Sequence, residues 1–113
     1  MCGAKIMPHI STKISGWKEL NERMESDPEF KQTISDLGSF YEYLGVIVKE
    51  GYLSIRLVAL MWAGVTRTFW ENIAEPMLDE MREETGYPRG WSETEYLCRE
   101  LIRYMDEHPE LKT

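Results

Sequence analysis

The sequence predicts an all-α fold: a small helical bundle built on a long antiparallel helical hairpin, with a short N-terminal and a C-terminal helix. Three observations carry this prediction. Apolar residues recur at steps of three and four along most of the chain. Helix start and stop residues bracket each such run. No alternating run bounded by Asn-Gly or Asp-Gly turns competes, and no repeat or low-complexity tract interrupts the pattern. With 113 residues, 42% of them hydrophobic, the chain suits one domain with a real core rather than two domains or a disordered chain.

Residues 1–15 read as a flexible leader, because Gly3, Pro8 and isolated polar residues break any sustained period. A single helical domain is expected over 16–108, and 109–113 read as a tail. The first helix is expected near 16–25, where Trp17, Leu20 and Met24 share a face. Asp27-Pro28-Glu29 then supplies a cap, a first-turn proline and an acid at the positive end of the helix dipole. The helix so started is predicted over 28–50. Its seam is Phe30, Ile34, Leu37, Tyr41, Leu44 and Val48, with Gly38 and Gly45 beside it. Each glycine costs ~1 kcal/mol of helix propensity relative to Ala, which points to close approach by a neighbouring helix. Gly51 stops the helix.

Ser54 can cap the next helix, predicted over 54–85. Leu57 to Val65 is apolar on all sides, so this stretch needs cover on at least two of them. Beyond it Val65, Phe69, Ile73, Met77 and Met81 form one stripe at a constant step of four. Pro76 should bend or interrupt the helix between Asn72 and Glu75. At ~1.5 Å per residue the two long helices measure about 33 and 48 Å, so the longer overhangs its partner. A loop follows at Gly86-Tyr87-Pro88-Arg89-Gly90. Ser92 to Glu95 then reads as a capping box, with Trp91 placed as the staple residue. The last helix, near 92–107, is expected to bury Leu97, Leu101, Tyr104 and Met105.

A formal net charge of −7 argues against direct binding to nucleic acid or adsorption to anionic lipid, both of which need clustered Lys and Arg. The most apolar stretch is about half of the ~20 residues that cross a bilayer as a helix, so no membrane insertion is expected. No signal peptide is read at the N-terminus, and the location inferred is cytoplasmic. Cys2 and Cys98, the only cysteines, require no disulfide.

One resemblance rests on Phe40-Tyr41-Glu42-Tyr43-Leu44-Gly45-Val46-Ile47-Val48-Lys49-Glu50-Gly51 leading into Tyr52-Leu53. It continues through Phe69-Trp70-Glu71-Asn72-Ile73, Pro76-Met77, Trp91 and Glu95-Tyr96-Leu97. Over roughly residues 27–105 the sequence resembles a prokaryotic helical family, the domain of unknown function 4760. The resemblance implies the helical architecture; it brings no activity and no catalytic residue. Members commonly carry a membrane segment upstream, and the residues before 27 contain no comparable apolar stretch.

No catalytic, cofactor-binding or metal-ligating set emerges. His9 and His108 read as solvent-exposed, Cys98 as an inert thiol beside the seam, and no Gly-rich phosphate loop or nucleophile elbow exists. No cofactor is expected. Glu71, Glu75, Asp79 and Glu83 form an acidic face that could meet water, a divalent ion or a basic protein site. The candidate interface is aromatic and apolar: Leu57, Val58, Met61, Trp62, Val65, Phe69 and Trp70. The reading favoured is a non-enzymatic protein-interaction module that self-associates through this face, with a dimer preferred or else a protein partner. The alternatives are a small acidic inhibitor on a basic site of a nucleic-acid-handling protein, and a small-ligand sensor with a pocket between helices.

Overall fold

A computed structural model describes residues 3–111. Cys2 and the last two residues of the expected tail lie outside it. The elements are α1 (Gly3–Ile10), α2 (Trp17–Ser26), α3 (Pro28–Lys49), α4 (Ile55–Phe69), a π-helical turn (Trp70–Ala74), α5 (Glu75–Thr85) and α6 (Ser92–Glu107). A 3-10 turn (Pro109–Leu111) follows. No strand occurs among the described residues, as the missing alternation requires.

α3 is built as its ends dictate. Asp27 Oδ1 accepts the Phe30 N–H at 3.1 Å, and Pro28 occupies the first turn, where its missing N–H costs nothing. At the other end Gly51 sits at φ 84°, so the Tyr52 N–H reaches Ile47 O and the Gly51 N–H reaches Val48 O, both at 3.0 Å. These two bonds cap the last carbonyls. Between the ends Phe30, Ile34, Leu37, Tyr41 and Leu44 are buried and Val48 is half-buried, so the seam read from the sequence is the core face.

The neighbour of that seam differs from the expected one. α3 and α4 meet through large side chains, whereas the close backbone approaches are those of α6 on α3 and on α4. Both glycines of α3 face the start of α6. A Cβ on Gly38 would lie 2.9 Å from Trp91 Cζ2, and one on Gly45 would collide with the carbonyl oxygen of Glu93. The close approach inferred from their spacing is real, but α6 makes it.

The expected capping box at the start of α6 does not form. Trp91 takes a left-handed conformation at φ 57° and offers no side-chain cap. The free Thr94 N–H donates instead to Glu42 Oε1 of α3 at 3.0 Å, placing a carboxylate at the positive end of α6. Glu95, released from capping, turns to Arg82 and Arg99.

Pro76 breaks the long helix where predicted, and the break has a specific form. A step of four residues drifts by about 40° per step on a 3.6-residue helix, so a straight α-helix would rotate the stripe off the core. The turn from Trp70 to Ala74 is π-helical, with the Glu75 N–H bonding to Trp70 O, and its extra residue restores the register. Phe69, Ile73, Met77 and Met81 are all buried as a result. Pro76 has no N–H for the carbonyl four residues back, so Asn72 O is free to accept the Ile14 N–H at 2.9 Å. The Asn72 side chain donates to Ile10 O at 2.8 Å.

Those two bonds fasten a segment that the sequence reading treats as a loose leader. Residues 3–10 form α1 instead, and Ile6, Ile10 and Ile14 enter the core at 7%, 0% and 2% exposure. Three isoleucines four apart are a helical signal, but Pro8 between them masks it. α2 lies against α3 and α5 and covers the overhanging end of the long helix.

Two glycines give a paired test of this packing. Gly45→Ala should destabilise the fold by about 2 kcal/mol, because the added methyl meets backbone that cannot yield. Gly64→Ala in α4, where a Cβ meets nothing within 4 Å, should instead gain about 0.5–1 kcal/mol from helix propensity. Urea unfolding of both variants checks the opposite signs.

Candidate functional site

α4 has an inner and an outer face, and its sequence makes both apolar. Ser54 starts it, with Ser54 Oγ accepting the Leu57 N–H at 3.2 Å. On the inner face Val58, Ala59, Thr66 and Phe69 are buried. Thr66 Oγ1 donates to the Tyr41 hydroxyl at 2.9 Å, so both polar atoms are satisfied inside the core, and burial pushes the Tyr41 phenol well above its ordinary pKa. Around this pair runs an aromatic ladder. Phe40 meets Trp62 edge-on at 5.5 Å, Tyr41 stacks on Phe69 at 5.2 Å, and Phe69 stacks on Trp91 at 5.8 Å.

This ladder corrects part of the candidate interface. Val58, Phe69 and Trp70 are exposed by only 0%, 0% and 2%, so they belong to the chain's own core and present no surface. The reason is geometric: α3, α6 and α1 pack around the helix and enclose these residues. Trp62 and Val65 are half-buried. Leu57 and Met61 remain on the outside at 46% and 53%, joined by Leu60 at 55%, which the sequence reading did not single out. Its signal was present, since Leu57, Leu60, Met61 and Gly64 follow helical spacing on one side. Gly64 is exposed and lies where two shallow grooves meet, beside Ala63 and Leu111. The helix also bends at Trp62, whose φ and ψ of −136° and 16° leave the helical range.

The acidic residues Glu71, Glu75, Asp79 and Glu83 are all exposed. Glu71 pairs with Arg67 at 3.3 Å; Glu75, Asp79 and Glu83 have no cation partner among the described residues. Toward α6 the surface is mixed in charge. An open groove beside Trp70 is lined by Glu71, Glu75 and Glu107 and also by Arg99 and Arg103. Arg99 stands 5.3 Å from the centre of the Trp70 ring and pairs with Glu95 Oε2 at 3.0 Å, while Arg82 holds Glu95 Oε1 at 2.8 Å. Partial burial pushes the Glu95 carboxyl up, but the two guanidinium groups outweigh it and hold its pKa below the ordinary value.

The remaining reactive side chains are occupied or silenced. Cys98 is buried, and burial pushes its thiol up to about 12, so almost no thiolate exists at neutral pH. Neither histidine is fully exposed, contrary to the sequence reading. His9 packs near Phe30 with its Nε2 3.4 Å from Glu29, and His108 stacks on Tyr104 at 4.1 Å. Among the described residues no group of three or more His, Cys, Asp or Glu could hold a metal ion, and no helix is long and apolar enough to cross a membrane.

The model of one family, the domain of unknown function 4760, matches residues 8–101. The chain belongs to that family. No curated protein and no solved structure matches it. The family match reaches further back than the resemblance read from the sequence. In this chain the match takes in α2, the end of α1 and the Ile10–Ile14 segment held by Asn72.

The Glu95 cluster carries a pH signature. Because its folded-state pKa is depressed, its stabilising contribution is present above the ordinary carboxylate range and is lost as pH falls through the folded-state value. Glu95→Gln should therefore lower Tm by about 4 °C near neutral pH, and the gap from the unmodified chain should close as pH falls below the ordinary carboxylate range. Thermal melts across that range check it.

Proposed function

We propose that this chain is a non-enzymatic protein-interaction module that self-associates through the outer face of α4. The observation that supports the reading is the exposure of Leu57, Leu60 and Met61 on neighbouring turns of one helix. Scattered exposed apolar residues need no explanation, but a contiguous group flanked by half-buried Trp62 and Val65 is the composition of an interface centre.

The magnitudes set the expected strength. Covering the exposed half of one such side chain is worth about 1 kcal/mol, so three from each copy contribute about 6 kcal/mol. Association costs ~4 kcal/mol or more in lost translational and rotational freedom. The self-association expected is therefore reversible and concentration-dependent rather than obligate, in keeping with a chain that already buries a core of its own.

Light scattering on the purified chain should show mass rising above the monomer value toward high micromolar concentration. Leu60→Asp or Met61→Asp should abolish that rise and leave the thermal midpoint within a few degrees, because neither side chain supports the core. A strict monomer throughout the range would remove the reading.

A second reading is favoured by the exposed carboxylates of Glu75, Asp79 and Glu83. In it the acidic side of α5 seats on a basic site of a nucleic-acid-handling protein. Such a complex should weaken strongly with added salt and with Glu75→Lys or Asp79→Lys, measured by titration at low and high ionic strength. Salt-insensitive binding would count against it.

A further inference from the structure

The 3-10 turn that follows α6 lies beside α4. Leu111 is half-buried and packs against the core. It borders both grooves at Ala63 and Gly64, so it stands between them. Leu60, Met61 and Glu110 line the first of these grooves. The turn is therefore one wall of that groove, and the exposed stripe of α4 is the other.

The fastenings of the turn are few. At the start of the stripe the Arg56 guanidinium donates to the Tyr104 hydroxyl at 3.2 Å and is attracted by Glu110. His108 stacks on Tyr104, with its Nδ1 2.9 Å from Tyr104 O, and the Leu111 N–H donates to His108 O at 2.9 Å. Among the described residues no backbone hydrogen bond joins residues 109–111 to α4. The Leu111 side chain and the Glu110 charge are what hold the turn to that helix.

We infer that this turn is a latch on α4 that opposes self-association while it is seated. The inference rests on the self-association reading and adds its regulation. A partner helix is about 10 Å across, so one laid along Leu57, Leu60, Met61 and Gly64 meets Leu111 beside Gly64. Covering the groove with the turn in place would also take the exposed Glu110 carboxylate out of water. Lifting the turn removes both obstacles and joins half-buried Ala63 and Val65 to the exposed stripe. Re-exposing the covered half of one leucine favours the seated form about fivefold. A dimer opens two turns, so the latch holds association about thirtyfold below that of an open chain.

Leu111→Ser removes the seat and leaves α4 unchanged. Light scattering should then show association about thirtyfold tighter than in the unmodified chain. Pro109→Gly loosens the turn but keeps Leu111, and it should tighten association by about fivefold. At concentrations where the chains are monomeric, Leu111→Ser should also bind the apolar dye ANS more strongly. Circular-dichroism melts of both variants show that the fold is intact. A Leu111→Ser chain that associates no more tightly than the unmodified one, while Leu60→Asp still abolishes association, would overturn the latch and leave self-association standing. Strict monomers at high micromolar concentration for the unmodified chain and for Leu111→Ser alike would remove both.

Discussion

The fold depends on how closely α6 comes to α3. Gly45 has no side chain and Glu93 presents its carbonyl into that space, so the two backbones come nearer than any other residue would allow. Gly38 leaves room for the indole of Trp91 in the same way. Glu42 then caps the Thr94 N–H, and Lys49 pairs with Glu93 at 2.9 Å. With α6 seated there, it also packs along α4, and the aromatic ladder from Phe40 to Trp91 is enclosed among the three helices. On the outer side of α4, Leu57, Leu60 and Met61 stay exposed among the described residues.

A second constraint acts through a missing hydrogen-bond donor. Pro76 cannot bond to Asn72 O, and a helix interrupted there would normally leave that carbonyl unpaired. The chain uses it as an acceptor for Ile14, with the Asn72 amide holding Ile10 beside it. One local defect thus does two things. It inserts the π turn that keeps Phe69, Ile73, Met77 and Met81 on the core face, and it anchors the N-terminal helix.

Cys98 and Tyr41 are buried with their ionised forms disfavoured, and the histidines lean on aromatic neighbours. Arg82, Glu95 and Arg99 form a cluster that ties α5 to α6 beside Trp70. Leu57, Leu60 and Met61 are exposed on one side of α4, and Tyr43, Val46, Tyr52 and Tyr87 are exposed elsewhere.

Local periodicity and end signals in the sequence by themselves determined the helices, from the α3 seam of Phe30 to Val48 to the interruption at Pro76. Such signals depend only on residues a turn or two apart, and that range is legible in one dimension. Partners were decided by the tertiary structure. Nothing local told that Gly38 and Gly45 make room for α6 rather than α4, that Glu42 would replace the capping box at Ser92, or that Ile6, Ile10 and Ile14 would reach the core across a proline. The apolar girth of Leu57 to Val65 announced two covered sides, yet which residues face inward followed from where α3 and α6 sit. Val58, Phe69 and Trp70 went to the core and Leu57, Leu60 and Met61 to the surface, because α3, α6 and α1 pack against the helix and leave one side over.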